Sequence, residues 1–204
     1  MKTHLGIALV LLTLPAAPLT AAPFTYYTSL SGPAEAPPNA SPGTGWGFVT
    51  IDSEANTMRV QAIFSGLIGL VSVAHIHVIN GPNDGNTSDT AGPVATRTPT
   101  FLGFPSGVTA GNYDATFDTL DASTYNNPSW INGSAALNPN LTPVEAAELE
   151  LFEGIREGRA YLNIHSNVFP GGEIRGFLQP VPEPGTAWLA LGALALAGLR
   201  KLRR

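Results

Sequence analysis

Residues 46–64 read Trp46-Gly47-Phe48-Val49-Thr50-Ile51, then Asp52-Ser53-Glu54-Ala55-Asn56, then Thr57-Met58-Arg59-Val60-Gln61-Ala62-Ile63-Phe64. The outer runs are rich in strand-forming residues, and the second alternates along its length. The polar stretch between them has turn chemistry. Together they predict a β-hairpin. The same grammar extends outward in both directions. Phe24–Leu30 is a run of β-formers, and Gly32–Gly45 is a Pro- and Gly-rich loop. Val71–Ile79 reads as a strand followed by a turn-rich loop, Asn80–Gly92. Asn112–Thr119, Ala160–His165 and Glu173–Leu178 complete the set, the last two joined by Pro170-Gly171-Gly172.

One helix interrupts the strands. Thr142-Pro143-Val144-Glu145 carries a capping residue, Pro at the first helical position and Glu at the capping-box position. Val144, Ala147, Leu151 and Ile155 recur at helical spacing, Glu145, Glu148 and Glu153 form a solvated face, and Gly158 is a natural stop. Residues 101–140 are harder to read, and Asp121–Asn140, with Asn, Pro and Ser in excess, reads as an insertion. The expected fold is mainly β: an antiparallel β-sandwich or Greek-key barrel with one peripheral helix.

Both termini read as addresses. Residues 1–22 have the zones of a secretory signal: Lys2 and His4, the apolar run Leu5–Leu14, then small residues up to Ala22. Residues 181–204 begin with the stiff spacer Val181-Pro182-Glu183-Pro184, continue through the apolar stretch Gly185–Leu199, and end on Arg200, Lys201, Arg203 and Arg204. That apolar stretch is shorter than the ~20 residues needed to cross a bilayer upright, a gap that snorkelling basic side chains narrow. Positive charge at the end keeps it cytoplasmic and leaves the preceding domain outside.

The intervening domain, residues 23–180, holds five arginines, no lysine and fourteen carboxylates, a balance of −9 against −5 for the whole chain. An acidic surface of this kind argues against nucleic acid and anionic lipid as partners. There is no cysteine, which excludes disulfides, thiol catalysis and cysteine metal sites. No nucleophile elbow, phosphate-binding Gly-Lys loop or His-Glu-x-x-His motif is present, which favours a non-enzymatic role. The loop Asn80–Asp89 offers oxygen ligands for calcium without the spacing of an EF-hand, and turn chemistry accounts for it. Trp46, Trp130, Tyr26 and Tyr27 are candidates for stacking on sugars, or for ordinary core and cross-strand packing.

The domain's three histidines carry the sharpest chemistry. His75 and His77, two apart on a strand, point to one face, while Ala74, Ile76 and Val78 point to the other. In Tyr161-Leu162-Asn163-Ile164-His165, the apolar pair takes one face and Tyr161, Asn163 and His165 the opposite one. Glu173 and Arg175 share a face after the turn. If the strands are neighbours, His75, His77 and His165 form a three-nitrogen site suited to copper or zinc. The alternative is a hydrogen-bonded network of neutral histidines with Asn163, Glu173 and Arg175 that pins strand register.

Ala74-His75-Ile76-His77 before a Gly-rich loop resembles the first signature of the CHRD domain. Gly158–Ser166 followed by Pro170–Leu178 resembles its second, and Leu30–Pro38 its opening segment. The tail from Pro182-Glu183-Pro184 resembles the PEP-CTERM sorting signal. That resemblance implies a Gram-negative host and processing by an exosortase-type membrane enzyme. The CHRD resemblance brings no reaction with it. The expectation is an exported cell-surface or matrix protein whose β domain is a binding or structural module, with extracellular polysaccharide or surface proteins as partners. A copper- or zinc-binding domain built on the three histidines is the alternative.

Overall fold

The structure, a computed structural model, describes residues 22–84 and 90–182. The expected signal (all but Ala22), the oxygen-rich stretch 85–89 and the tail beyond Pro182 lie outside the described residues.

Eight strands form one antiparallel sheet curled into a half-barrel. They are β1 (Phe24–Ser31), β2 (Thr44–Asp52), β3 (Thr57–Ser65), β4 (Val71–Val78), β5 (Gly111–Asp118), β6 (Ala160–Ser166), β7 (Ile174–Phe177) and β8 (Gln179–Pro180). The spatial order is β4-β6-β7-β1-β2-β3-β5, with β8 paired to β1. The hairpin read from residues 46–64 is present: β2 and β3 pair over their whole length, Trp46 opposite Ile63 and Phe48 opposite Gln61. Its turn is held by Asp52, whose carboxylate accepts from the Glu54 and Ala55 amides, and Asn56 takes the left-handed conformation that Asn tolerates.

The core lies on one face of the sheet, where Val49, Met58, Val60, Ile76, Leu162 and Ile164 are fully buried. Helix α2 (Pro143–Arg156) packs Ala147, Leu151 and Ile155 into it. The Thr142/Glu145 capping box forms as the sequence predicts, and Gly158 ends the helix with φ +71°. Glu148 departs from the expected solvated face: it is half-buried and accepts a hydrogen bond from Thr119.

A second helix, α1 (Ser129–Leu137), lies in the stretch that reads as an insertion. Asn, Gly and Ser are poor helix formers, so its stability comes from tertiary packing. Trp130 is buried and donates through Nε1 to the Ala147 carbonyl at 3.1 Å, fastening α1 to α2. Residues 101–140 also furnish Phe101, Phe104, Tyr113 and Tyr125 to the core, so this region is integral to the domain. Among the described residues, no helix is long and apolar enough to cross a membrane.

The far edge of β4 is sealed by an irregular segment. The amides of Ala95 and Phe101 donate to the Ile76 and Ala74 carbonyls, and the Val78 amide donates to Pro93. This cover closes an edge that would otherwise be open, and it brings the Gly92 and Pro99 carbonyls over the histidine face.

Candidate metal centre

Strand alternation places the imidazoles. β4 and β6 pair with His75 opposite Asn163, His77 opposite Tyr161 and Val73 opposite His165. With Ala74, Ile76 and Val78 taken by the core, His75 and His77 emerge on the other face beside His165. The faces assigned from the sequence are those observed. Ring centroids are 5.6 Å apart for His75–His77, 5.3 Å for His75–His165 and 5.8 Å for His77–His165. One ring nitrogen from each lies within 4.8 Å of the other two.

Each histidine spends one nitrogen on a loop. His75 Nε2 lies 2.6 Å from the Pro99 carbonyl oxygen, His77 Nδ1 is 3.0 Å from that of Gly92, and His165 Nδ1 is 2.9 Å from that of Pro170. A carbonyl only accepts, so each of these nitrogens carries the proton. The tautomers are thereby fixed, and His75 Nδ1, His77 Nε2 and His165 Nε2 are left as bare lone pairs. These three buried atoms have no hydrogen-bond partner. A backbone carbonyl behind each imidazole is the usual support of a metal-ligating histidine.

The electrostatics agree with the geometry. Burial lowers His75 and His77 to about 4, against the opposing pull of their carbonyl partners and reinforced by the neighbouring imidazoles. His165 is lowered too, by burial. The cluster is neutral at pH 7, the state in which imidazole binds metal.

Around the histidines the face is polar and closed. Tyr161 stacks on His77 (centroids 5.0 Å apart, planes 8° apart), and the Arg175 guanidinium sits 4.7 Å from the Tyr161 ring centre. Arg175 donates to the Ala34 and Thr90 carbonyls and lies 3.7 Å from Glu35. Asn163 lies in the same row, between His75 and Arg175. Gly92 ties two of these groups together, since its carbonyl accepts from His77 while its amide donates to the Tyr161 hydroxyl at 3.2 Å. A Cβ at Gly92 would collide with the Val78 carbonyl, so only glycine fits this approach.

Glu173, grouped with the histidines in the sequence reading, belongs to a different network. Its carboxylate accepts from Ser41 Oγ at 2.7 Å and from the Ile68 and Gly69 amides, fixing the β3–β4 loop. Burial pushes Glu173 up, but hydrogen bonds from Ser166, Ser41 and the two amides outweigh it and hold the carboxyl below its usual range. The carboxylate beside Arg175 is Glu35 instead. Burial raises it to about 7, against the lowering effect of Arg175 and the Ala36 amide. Glu35 sits in the opening segment singled out in the sequence, but nothing local there marks it as a partner of Arg175. In the loop Asn80–Asp89, the Asp84 carboxylate caps the Asn80 amide, an ordinary turn contact. Of the four aromatics considered for sugars, Tyr26 and Trp130 are buried, while Tyr27 and Trp46 are exposed.

An antiparallel β domain with a three-imidazole cluster sealed beneath its loops is the class that fold and site define. Residues 26–178 match the CHRD domain, and the chain belongs to that family. Residues 180–204 match the PEP-CTERM protein-sorting motif. The protein is therefore exported, processed by exosortase, and anchored at the membrane by its C-terminal segment before processing. Searches of curated proteins and of solved structures each returned no match.

Proposed function

We propose that the CHRD domain of this exported protein is a metal-binding module that holds one copper or zinc ion through His75 Nδ1, His77 Nε2 and His165 Nε2. The observation that carries the reading is the set of three buried, unpartnered lone pairs on fixed tautomers. Nitrogen–metal distances of about 2.0–2.1 Å put three ligand nitrogens about 3.5 Å apart around a shared ion. Small side-chain rotations from the present spacing reach that arrangement. Three neutral imidazoles suit copper ahead of zinc. They bring no negative charge, and the buried Glu35 carboxyl is engaged with Arg175. Desolvation rises steeply with ionic charge, so a monovalent ion is the easier one to bury, and Cu(I) is the favoured form.

The full chain, purified in detergent and freed of metal, should take up one equivalent of Cu(I) or Zn(II) with sub-micromolar affinity by calorimetry. His75→Gln, His77→Gln or His165→Gln should weaken uptake at least 100-fold. A folded protein that gives no heat at micromolar metal would end this reading.

A second reading is favoured by the protonated nitrogens, which tie the Gly92, Pro99 and Pro170 carbonyls to the sheet. On that reading the cluster is a structural clasp in a surface or matrix protein. The same substitutions would then lower the melting temperature of the metal-free protein, with no metal detected.

A further inference from the structure

The outward face of the other half of the sheet carries an unusual set of side chains. Trp46, Phe48 and Ile63 are 55%, 43% and 59% exposed, and Tyr27, opposite Phe48, is 38% exposed. They adjoin a groove of about 380 Å³ in which Gln61, Asn112 and Asp114 alternate with the apolar groups. Pairing puts Trp46, Ile63 and Asn112 in one row across β2, β3 and β5, and Phe48, Gln61 and Asp114 in the next. Trp46 and Phe48 are two residues apart on one strand, so their rings stand ~7 Å apart on the same face. Contiguous exposed apolar side chains of this kind mark interaction sites.

Charge selects among occupants. The domain's balance is −9, which disfavours a second copy, an acidic polymer or an anionic lipid surface. Within the groove, Asp114 is neutralised by Arg59, which donates to both its oxygens at 2.8 and 2.6 Å, while Gln61 donates at 3.1 Å. The face is therefore locally neutral, aromatic, and fringed by amides and a carboxylate. A neutral polysaccharide complements it: the C–H faces of its rings meet the negative faces of Trp46 and Phe48, and its hydroxyls meet Gln61, Asn112 and Asp114.

We infer that this groove is a glycan-binding platform for a neutral polysaccharide, separate from the histidine cluster and independent of metal. The test is native affinity electrophoresis of the full chain in a detergent without a sugar headgroup. Gels would contain hydroxyethyl cellulose, dextran or galactomannan as neutral polymers, or alginate as a polyanion. At least one neutral polymer should retard the chain, alginate should not, and Trp46→Ser or the double variant Q61A/N112A should weaken retardation at least ten-fold with an unchanged circular dichroism spectrum. Treating the native chain with a metal chelator should leave its retardation unchanged. Free migration through every neutral gel, or retardation insensitive to both sets of groove substitutions, overturns the proposal. So does sedimentation showing a dimer that Trp46→Ser dissolves, because the face would then join two copies.

Discussion

The two ends of this sheet break the same rule in opposite directions. At the β4–β6–β7 end, polar side chains are inside: every residue of β6 is buried, and His75, His77, His165, Asn163 and Arg175 lie under loops. At the β2–β3–β5 end, burial alternates with the strand period, yet the exposed positions include Trp46, Phe48 and Ile63. Burying polar groups costs stability unless they are partnered, and exposed aromatics forgo the stabilisation that burial would give. Neither end is explained by folding alone. The difference shows where the chain departs from its own stability: in the loops that roof one end, and in the open face of the other.

The most disruptive way to test the roofed end is Gly92→Ala. The new methyl meets the Val78 carbonyl, and relief of that clash moves the peptide that holds both His77 and Tyr161. A loss of about 3 kcal/mol is expected, the upper end of ordinary single substitutions, because the atoms met are backbone and cannot swing aside. That corresponds to a melting-temperature drop of roughly 6–12 °C for a domain of this size, measurable by calorimetry. Metal uptake should fall with it. Unchanged stability would mean that the loop is not clamped onto the histidines.

Acid is the next lever on the roofed end. His75 and His77 titrate near 4 when folded, below the ordinary 6.5, so between those values the unfolded chain binds more protons. Their contribution is complete above 6.5 and is lost as pH falls toward 4, on the order of 3 kcal/mol each. Glu35, raised to about 7, runs the other way: its contribution is complete below 4.5 and is lost as pH rises through 7. The two histidines outweigh the one carboxyl, so the metal-free protein should lose stability to urea from pH 6.5 to 4. The acidic change should be steeper in Glu35→Gln, where the opposing titration is gone. A flat profile in that variant would show the histidines to be more hydrated than their burial implies.

These effects turn on features that differ in how far the sequence discloses them. The strand faces were legible, because a two-residue period with an apolar set on one side dictates where His75, His77, Asn163 and His165 point. The hairpin and the capped helix α2 were legible for the same local reason. The roof was not: the carbonyls of Gly92, Pro99 and Pro170 belong to irregular loops, and any residue type carries a carbonyl. Glu173 was misplaced because the chain bends before β7 and its carboxylate turns to the Ile68 and Gly69 amides. Helix α1 went unseen because the tertiary contact of Trp130, not local propensity, holds it.

The open end yields the smallest expected effect, and the most diagnostic. Trp46→Ser and Phe48→Ser should each change unfolding stability by no more than about 0.5 kcal/mol, the range for surface substitutions away from special features. The inward neighbours Gly45, Gly47 and Val49 keep their packing in either variant, because alternate residues face opposite ways. Urea titration of both variants measures this directly. A loss of 2 kcal/mol or more at Trp46 would make the ring a structural element that packs on its neighbours, and the groove would then need no ligand to account for it. Near-neutral stability leaves two large aromatic side chains in water without a folding role, and binding is the remaining reason for their position.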